Sequence, residues 1–371
     1  MSFDVQRMGV LMEPDLNNPH EVEGVLNPAI VRGKDGHLYI LPRLVGKGNY
    51  SRIGVGRVKF NDAGDPVGVE RLGIALEPET QYELGLDGRG GCEDPRISYV
   101  EARGHYVMTY AALTPHGPRI AVAHSDDLIH WTRVGLARFH PYKGISFSLV
   151  DDKDAAAFPE LIHDPDGVPS VGMLHRPMFD NSALGEARTT TSASADDLAF
   201  ESIWVSYWHA GPDMLKPHNR QFVAHRRLAR GEAQWENAKV GVGAPPIQCR
   251  HGWLLIYHGV EKTEPEKPGG RGLTYRAGVM VLAHDERHTV IYRGKEPILS
   301  PETDYELRGA VDAVVFPSGV DRRDDIGQPD RYDIYYGMAD SRIGVAKLLV
   351  PQTLDDQSTG DGQKAEPALG V

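Results

Sequence analysis

The chain has few of the residues that build covalent or metal-bound frameworks, since only Cys92 and Cys249 occur among its 371 residues. Two cysteines exclude a disulfide framework and a cysteine metal cluster. No apolar run approaches the roughly 18 residues of a membrane span. Basic residues are the minority, and a net charge of −12 disfavours a nucleic-acid partner. We therefore expect a small neutral substrate.

The amino-terminal segment also lacks the basic, apolar and small-residue order of a secretory signal. The lack of this order, together with the scarcity of cysteine, predicts a cytoplasmic protein. The 16 histidines show no HExxH spacing, so the sequence predicts neither a metal nor an organic cofactor.

Glycine (41) and proline (26) are abundant, and the apolar runs are short and rich in Val, Ile and Tyr. Short runs of this kind between turn residues predict an all-β chain. Residues 220–235 are an exception that could form a helix. We expect a surface loop at 261–272, one domain over residues 1–350, and a disordered tail at 351–371.

An internal repeat carries the fold prediction. Five times a proline opens an apolar run, which a polar turn separates from a second apolar and aromatic run, at intervals of 64 to 87 residues. Five such units of about four strands each predict a five-bladed β-propeller with a central active-site pocket. The alternative is chance recurrence in another β-rich fold. The repeated prolines are Pro28, Pro95, Pro159, Pro246 and Pro317.

Equivalent units place equivalent residues around the axis of a propeller. The residues before the five prolines should then converge with the ends of the second runs, which predicts a pocket containing carboxylate, guanidinium and imidazole groups. Such a pocket suits sugar chemistry or an anion. Its predicted first-run members are Asn27, Asp94, Phe158, Pro245 and Phe316, and its second-run members are Arg43, His175, Arg176, His258 and Asp340.

Seven segments, in order, resemble the motifs of the β-mannoside phosphorylases and β-mannosidases of glycoside hydrolase family 130. The resemblance runs from about Asn27 to Lys347 and implies a five-bladed β-propeller. It also implies inverting cleavage of β-mannosides, by phosphate to give α-mannose 1-phosphate or by water. The segments are "GCEDPRISYVEARGHYVMTYAAL", "KDAAAFPELI", "LHRPM", "WENAKVGVGAPPI", "GWLLIYHGV", "PILSPETDYELRGAVDAVVFPSGV" and "YYGMADSRIGVAKL".

The resemblance implies roles for the "EDPR" segment. Asp94 matches the proton donor, which is thought to reach the glycosidic oxygen through the mannose 3-hydroxyl. We expect Glu93 to raise the proton affinity of Asp94 or to hold a substrate hydroxyl, and Arg96 to orient the pair.

The remaining implied residues bind phosphate or sugar. Arg176 and His258 match basic residues that bind phosphate, and Lys239 is assigned to the same subsite. A phosphorylase needs such positive charge in place of a catalytic base, and inorganic phosphate is its only co-substrate. Residues assigned to the sugar are Asn27, Arg52, His175 and Asp340.

One departure from the family pattern leaves the reaction open. Asp151 and Asp152 stand before Lys153 where basic or amide residues are common in the phosphorylases, and a carboxylate there would repel phosphate. Arg176 and His258 favour phosphorolysis, whereas the acidic pair favours hydrolysis with one carboxylate as base. A non-catalytic carbohydrate-binding propeller is a further alternative. The sugar linkage, the acceptor and a possible homo-oligomeric state stay open.

Overall fold

The computed structural model describes residues 3–85, 90–179, 193–194, 198–210, 221–264, 272–286 and 288–355. Within these ranges the strands form five antiparallel sheets arranged as the blades of a propeller, which confirms the predicted fold. Most of the predicted tail, residues 356–371, and residues 265–271 of the predicted loop lie outside the described residues.

Each blade is named by its order along the chain. Blade 1 contains β2 (Gly24–Arg32), β3 (Leu38–Gly46), β4 (Tyr50–Phe60) and β5 (Pro66–Leu76). Blade 2 contains β6 (Cys92–Val100), β7 (His105–Thr114), β8 (Gly117–Ser125) and β9 (Thr132–Leu136). Blade 3 contains β10 (Asp151–His163), β11 (Pro169–Met178), β12 (Ile203–His209) and β13 (Val223–Ala229).

The last two blades differ slightly from the others. Blade 4 has a divided first strand, β14 (Lys239–Val242) and β15 (Ile247–Cys249), followed by β16 (Gly252–Lys262), β17 (Leu273–Leu282) and β18 (Val290–Arg293). Blade 5 contains β19 (Val315–Arg323), β20 (Gln328–Met338), β21 (Arg342–Leu349) and, as its outermost strand, β1 (Asp4–Met12). Short helical turns lie at Gln81–Glu83, Glu101–Arg103, Gln234–Glu236, Asp304–Leu307 and Asp324–Ile326.

The ring closes through the amino-terminal strand. β1 pairs with β21, so both ends of the folded chain share one sheet. The first strands pack around the axis, β2 against β6, β6 against β10 and β19 against β2. Apolar clusters fill the seams between neighbouring blades, for example Phe158 with Trp253 between blades 3 and 4. A helix over 220–235 was the wrong expectation, because residues 223–229 pair with β12 as a strand.

β-Bulges occur at equivalent points of the first strands of blades 1, 2 and 3. The register shifts lie between Leu26 and Ala29 in β2, between Glu93 and Arg96 in β6, and between Lys153 and Ala156 in β10. The residue inside each bulge has a left-handed backbone, with φ values of 44° at Asn27, 49° at Asp94 and 54° at Asp154. Asn and Asp tolerate this region better than most residues.

The third equivalent residue is therefore Asp154, and the prediction of Phe158 was wrong. Phe158 is fully buried in the seam core. Pro245 also differs from its expected place, because residues 243–246 interrupt the first strand of blade 4 between β14 and β15.

In the described ranges, three blades contain the same buried cluster of glutamate, tyrosine and arginine. In blade 2, Glu83 accepts hydrogen bonds from the Tyr110 hydroxyl at 2.6 Å and from Arg133 Nε at 2.9 Å. Its other oxygen accepts two backbone N–H groups, from Glu79 and Thr80. The glutamate thereby ties the turn before the blade to the second and fourth strands. Equivalent clusters are Glu236, Tyr257 and Arg293 in blade 4, and Glu306, Tyr336 and Arg7 in blade 5.

Candidate active site

A cavity of about 870 Å³ is lined by residues from all five blades. One cross-strand pair between the first and second strand of each blade contributes a residue or two to its wall, because residues paired in register across two strands face the same side of the sheet. The pairs are Leu26 with Arg43, Glu93 with Ala111, Lys153 with Arg176, Gly241 with His258, and Phe316 with Gly337.

Asp94 is held at the cavity wall by two donors on the same oxygen. Its Oδ1 accepts a hydrogen bond from Asn27 Nδ2 at 2.9 Å and one from Arg43 Nη1 at 3.3 Å. The donors to the Asp94 side chain that the described residues supply both bind Oδ1, which leaves Oδ2 for a ligand. Burial would raise the pKa of Asp94, but the positive charges of Arg43, Lys153 and Arg96 outweigh it and lower the pKa.

Glu93 lies beside Asp94 and pairs with the same arginine. Arg43 Nη2 donates to Glu93 Oε1 at 2.8 Å, while Arg43 Nε donates to Ser51 Oγ at 2.9 Å. Arg43, the largest of the charges that lower the pKa of Asp94, is thus shared with Glu93. Both predicted roles of Glu93, raising the proton affinity of Asp94 and holding a substrate hydroxyl, stay predictions.

Arg96 is buried behind the bulge and is absent from the described lining residues. Its Nη1 donates to the backbone carbonyls of Asp94 at 3.0 Å and Pro95 at 3.2 Å, and its Nε donates to the carbonyl of Gly243. Arg96 therefore fixes the backbone of Asp94 rather than its carboxylate.

A second group of charged residues lines the cavity from blades 3 and 4. Arg176 Nε donates to Asp154 Oδ2 at 2.6 Å, and Arg176 Nη1 pairs with Glu201. Lys153 and Lys239 belong to the same wall. The Lys239 ammonium lies 5.6 Å from the centre of the Tyr275 ring.

His258 is fully buried in this group. Its ring lies 4.5 Å from the Phe316 ring, and Nε2 is 3.5 Å from Asp154 Oδ2. Within the described residues neither ring nitrogen has a hydrogen-bond partner. Burial, opposed by Asp154 and assisted by Arg176 and Lys239, lowers the pKa of His258 to about 3, so the imidazole is neutral.

Seven of the ten sequence-predicted site residues line the cavity: Asn27, Glu93, Asp94, Arg176, Lys239, His258 and Asp340. The other three do not belong to the described lining set. Besides Arg96, Arg52 pairs with Glu77 and stacks on the Tyr50 ring at 4.6 Å. His175 is buried within blade 3, between Asp152 Oδ2 and Ser206 Oγ, each at 2.7 Å.

The sequence prediction did not assign Lys153, Asp154 or Tyr275 to the site. Asp154 was missed because the repeat was anchored on prolines, and its bulge has Ala155 where blades 1 and 2 have proline. For Lys153 the available signal was its place in β10, because it pairs in register with Arg176, which was already assigned to the site.

The acidic pair before Lys153 does not line the cavity. Asp152 is buried against His175 inside blade 3, and Asp151 Oδ1 accepts a hydrogen bond from Arg119 Nη1 at 2.5 Å. Both carboxylates are therefore already partnered within the protein.

Two absences concern the described residues only. No group of three or more His, Cys, Asp or Glu side chains there could hold a metal ion. A helix of sufficient length and apolarity to cross a membrane does not occur in the ranges given above.

The chain is similar in sequence to proteins named as mannoside phosphorylases. A 1,2-beta-oligomannan phosphorylase of Thermoanaerobacter sp. (strain X514) is 30% identical, over 91% of this chain and 94% of its own. A beta-1,4-mannooligosaccharide phosphorylase of Ruminococcus albus is 34% identical, over 71% of this chain and 64% of its own.

A solved structure shows the same fold. The beta-1,2-mannobiose phosphorylase of Listeria innocua, in complex with beta-1,2-mannobiose, superimposes with a TM-score of 0.67 at 22% identity, covering 94% of this chain and 97% of the other. The family model described as beta-1,4-mannooligosaccharide phosphorylase matches residues 4–356. The chain therefore belongs to glycoside hydrolase family 130.

Proposed function

We propose that the protein is an inverting β-mannoside phosphorylase that releases α-mannose 1-phosphate. One observation carries the proposal: Arg176, Lys153 and Lys239 share the cavity with Asp94, and Asp151 and Asp152 do not. Several cations in a confined site suit a phosphate dianion. The family relatives named as phosphorylases support the same reaction.

The proposed reaction uses the cations of blades 3 and 4 to hold phosphate and Asp94 as the acid. An oxygen of phosphate forms the bond to the anomeric carbon while the glycosidic C–O bond on the opposite face breaks, which inverts the configuration. Asp94 supplies the proton that the leaving oxygen needs, directly or through the mannose 3-hydroxyl. Because Oδ1 is occupied by Asn27 and Arg43, we assign the proton to Oδ2.

The lowered pKa of Asp94 fits an acid that acts after phosphate has bound. In the unliganded site the cations favour the carboxylate form. A phosphate dianion beside Arg176, Lys153 and Lys239 offsets those charges and raises the pKa of Asp94, which favours the protonated acid.

Hydrolysis is the second candidate and needs a carboxylate base in addition to the acid. Asp154 lines the cavity and accepts a hydrogen bond from Arg176, but the charges of Arg176 and Arg96 hold the pKa of Asp154 well below its usual range against the effect of burial. A carboxylate so stabilised is a weak base. The lowered pKa of Asp154 therefore argues against its use as the base that hydrolysis needs.

The proposal includes a cytoplasmic location and no cofactor beyond phosphate. Cys92 and Cys249 are both free thiols, which suits a reducing compartment. A homo-oligomer stays a prediction.

The test is incubation of the purified protein with β-1,2- or β-1,4-mannobiose, with and without inorganic phosphate. We expect mannose 1-phosphate only when phosphate is present, with β-1,2-mannobiose tried first because of the 1,2-beta-oligomannan relative. Free mannose released equally fast without phosphate would establish hydrolysis instead. Sugar binding without any turnover would identify a non-catalytic propeller.

A further inference from the structure

Asp154 presents a problem for a phosphate site, because it places a buried carboxylate among the cations. The side chain comes from the β10 bulge and is only 5% exposed. Its Oδ2 is 2.6 Å from Arg176 Nε and 3.5 Å from His258 Nε2. A negative charge here opposes the binding of an anion, so its presence requires a compensating gain.

The surroundings of Asp154 are shaped to bring these groups together. Gly241 lies opposite His258 in β14, and a Cβ atom at that position would collide with both the Asp154 carboxylate and the His258 ring. The absence of a side chain at Gly241 therefore lets strands of blades 3 and 4 bring Asp154 and His258 side by side.

The contacts leave specific atoms available to a ligand. Arg176 gives Nε to Asp154 and Nη1 to Glu201, so Nη2 is the guanidinium nitrogen without a partner among the described residues. Both ring nitrogens of His258 also lack a hydrogen-bond partner in the described part of the chain, although the side chain is fully buried. Unpaired polar atoms at this depth are costly unless a ligand completes them.

We propose that Asp154 is a positioning residue of the phosphate subsite. Its carboxylate fixes the Arg176 guanidinium and faces the His258 ring, so that Arg176 Nη2 and the imidazole meet phosphate in one fixed geometry. The gain is preorganisation of a long, flexible arginine, which lowers the entropic cost of binding phosphate. The inference rests on the proposed assignment of Arg176 and His258 to phosphate.

The test compares Asp154→Ala and Asp154→Asn with the wild type. Alanine removes the acceptor, whereas asparagine keeps an oxygen that can accept from Arg176 Nε. We expect Asp154→Ala to raise the KM for phosphate about tenfold with the KM for mannobiose unchanged. Asp154→Asn should raise it less, because the conservative variant restores part of the orientation.

A matched control is Asp333→Asn in blade 5. Asp333 is fully buried and accepts from Arg323 Nη1 at 2.5 Å and Arg331 Nε at 2.9 Å, away from the cavity. The Asp333→Asn variant, like the Asp154 variants, removes the charge of a buried aspartate that is paired with arginine. We expect this variant to lower the melting temperature without changing the KM for phosphate.

Three results would overturn the inference: an unchanged KM for phosphate in both Asp154 variants, a parallel rise of both KM values, or tighter phosphate binding. If Asp154→Ala does not fold, an unchanged KM in Asp154→Asn has the same force. Calorimetric titration with phosphate separates the inference from the proposed function. Wild type that binds phosphate more tightly than Asp154→Asn but forms no mannose 1-phosphate would refute the function and keep the inference.

Discussion

Replacement of Glu83 by glutamine is expected to reduce the free energy of unfolding by about 3 kcal/mol at pH 7. Glu83 is fully buried in blade 2 and accepts four hydrogen bonds, from Tyr110, Arg133 and two backbone N–H groups. Glutamine has one acceptor oxygen where the carboxylate has two. Its NH2 group would therefore face donors and leave them unpaired.

The magnitude follows from the titration of the carboxyl group. Burial would raise the pKa of Glu83, but hydrogen bonds from Arg133, from backbone N–H groups and from Tyr110 lower it from its ordinary 4.5 to about 2. A carboxylate with a lowered folded-state pKa stabilises the fold above the unfolded-state value and loses that effect as pH falls toward the folded-state value. The contribution is about 3 kcal/mol at pH 7 and about 1.4 kcal/mol at pH 3.

The assay is urea unfolding followed by tryptophan fluorescence, from pH 7 down to the lowest pH at which the wild type stays folded. Glu79→Gln is the matched control, because Glu79 pairs with the same Arg133 at 3.2 Å but is 67% exposed. An exposed pair of this kind contributes less than about 1 kcal/mol. Equal effects of the two substitutions at pH 7, or a Glu83→Gln deficit that does not shrink with pH, would refute the reasoning.

Three further predictions concern two residues of the site and one buried histidine. Asp94→Asn should lower kcat by about 10²- to 10⁴-fold with little change in the KM for phosphate. The asparagine oxygen can still accept hydrogen bonds from Asn27 and Arg43, but the amide cannot supply the proton. A fall in kcat of less than about tenfold in steady-state assays would contradict this role. Arg43→Gln removes the largest charge that lowers the pKa of Asp94, so the alkaline limb of the kcat/KM profile should move to higher pH, and a shift to lower pH would contradict it. Burial lowers the pKa of His225 to about 3, so the free energy of unfolding should fall as pH drops below 6.5 and the unfolded chain takes up a proton. His225→Gln should remove about 1.4 kcal/mol per pH unit from the slope of unfolding free energy against pH, measured by urea titration. An unchanged slope would contradict this origin.

The repeat in the sequence was sufficient to predict the propeller. Proline lacks a backbone N–H, so it is tolerated in a strand only at bulges and edges, and four of the five repeated prolines do lie within first strands. A stronger internal signal was overlooked. The segments "PETQYEL" at 78–84 and "PETDYEL" at 301–307 both place the buried glutamate of a cluster with tyrosine and arginine.

Which of His175 and Arg176 faces the cavity depends on the strand register, which the sequence does not show. His175 precedes Arg176, and adjacent strand residues face opposite sides, so only one of the pair can line the cavity. Tyr110 and Tyr257 occupy the matching positions of blades 2 and 4, where they join the glutamate clusters. No single segment of the sequence distinguishes the two faces.

The bulges explain why neighbouring charged residues can act at one site. In a regular strand Glu93 and Asp94 would face opposite sides, and so would Lys153 and Asp154. The extra residue in each bulge lets both members of each pair line the cavity. Asp152 precedes this irregularity and keeps the ordinary alternation, which buries it against His175. The same geometry thus brings Asp94, the proposed proton donor, to the cavity wall and places Lys153 there with Arg176 and Lys239. It also keeps Asp152, the carboxylate that would have favoured water over phosphate, out of the cavity.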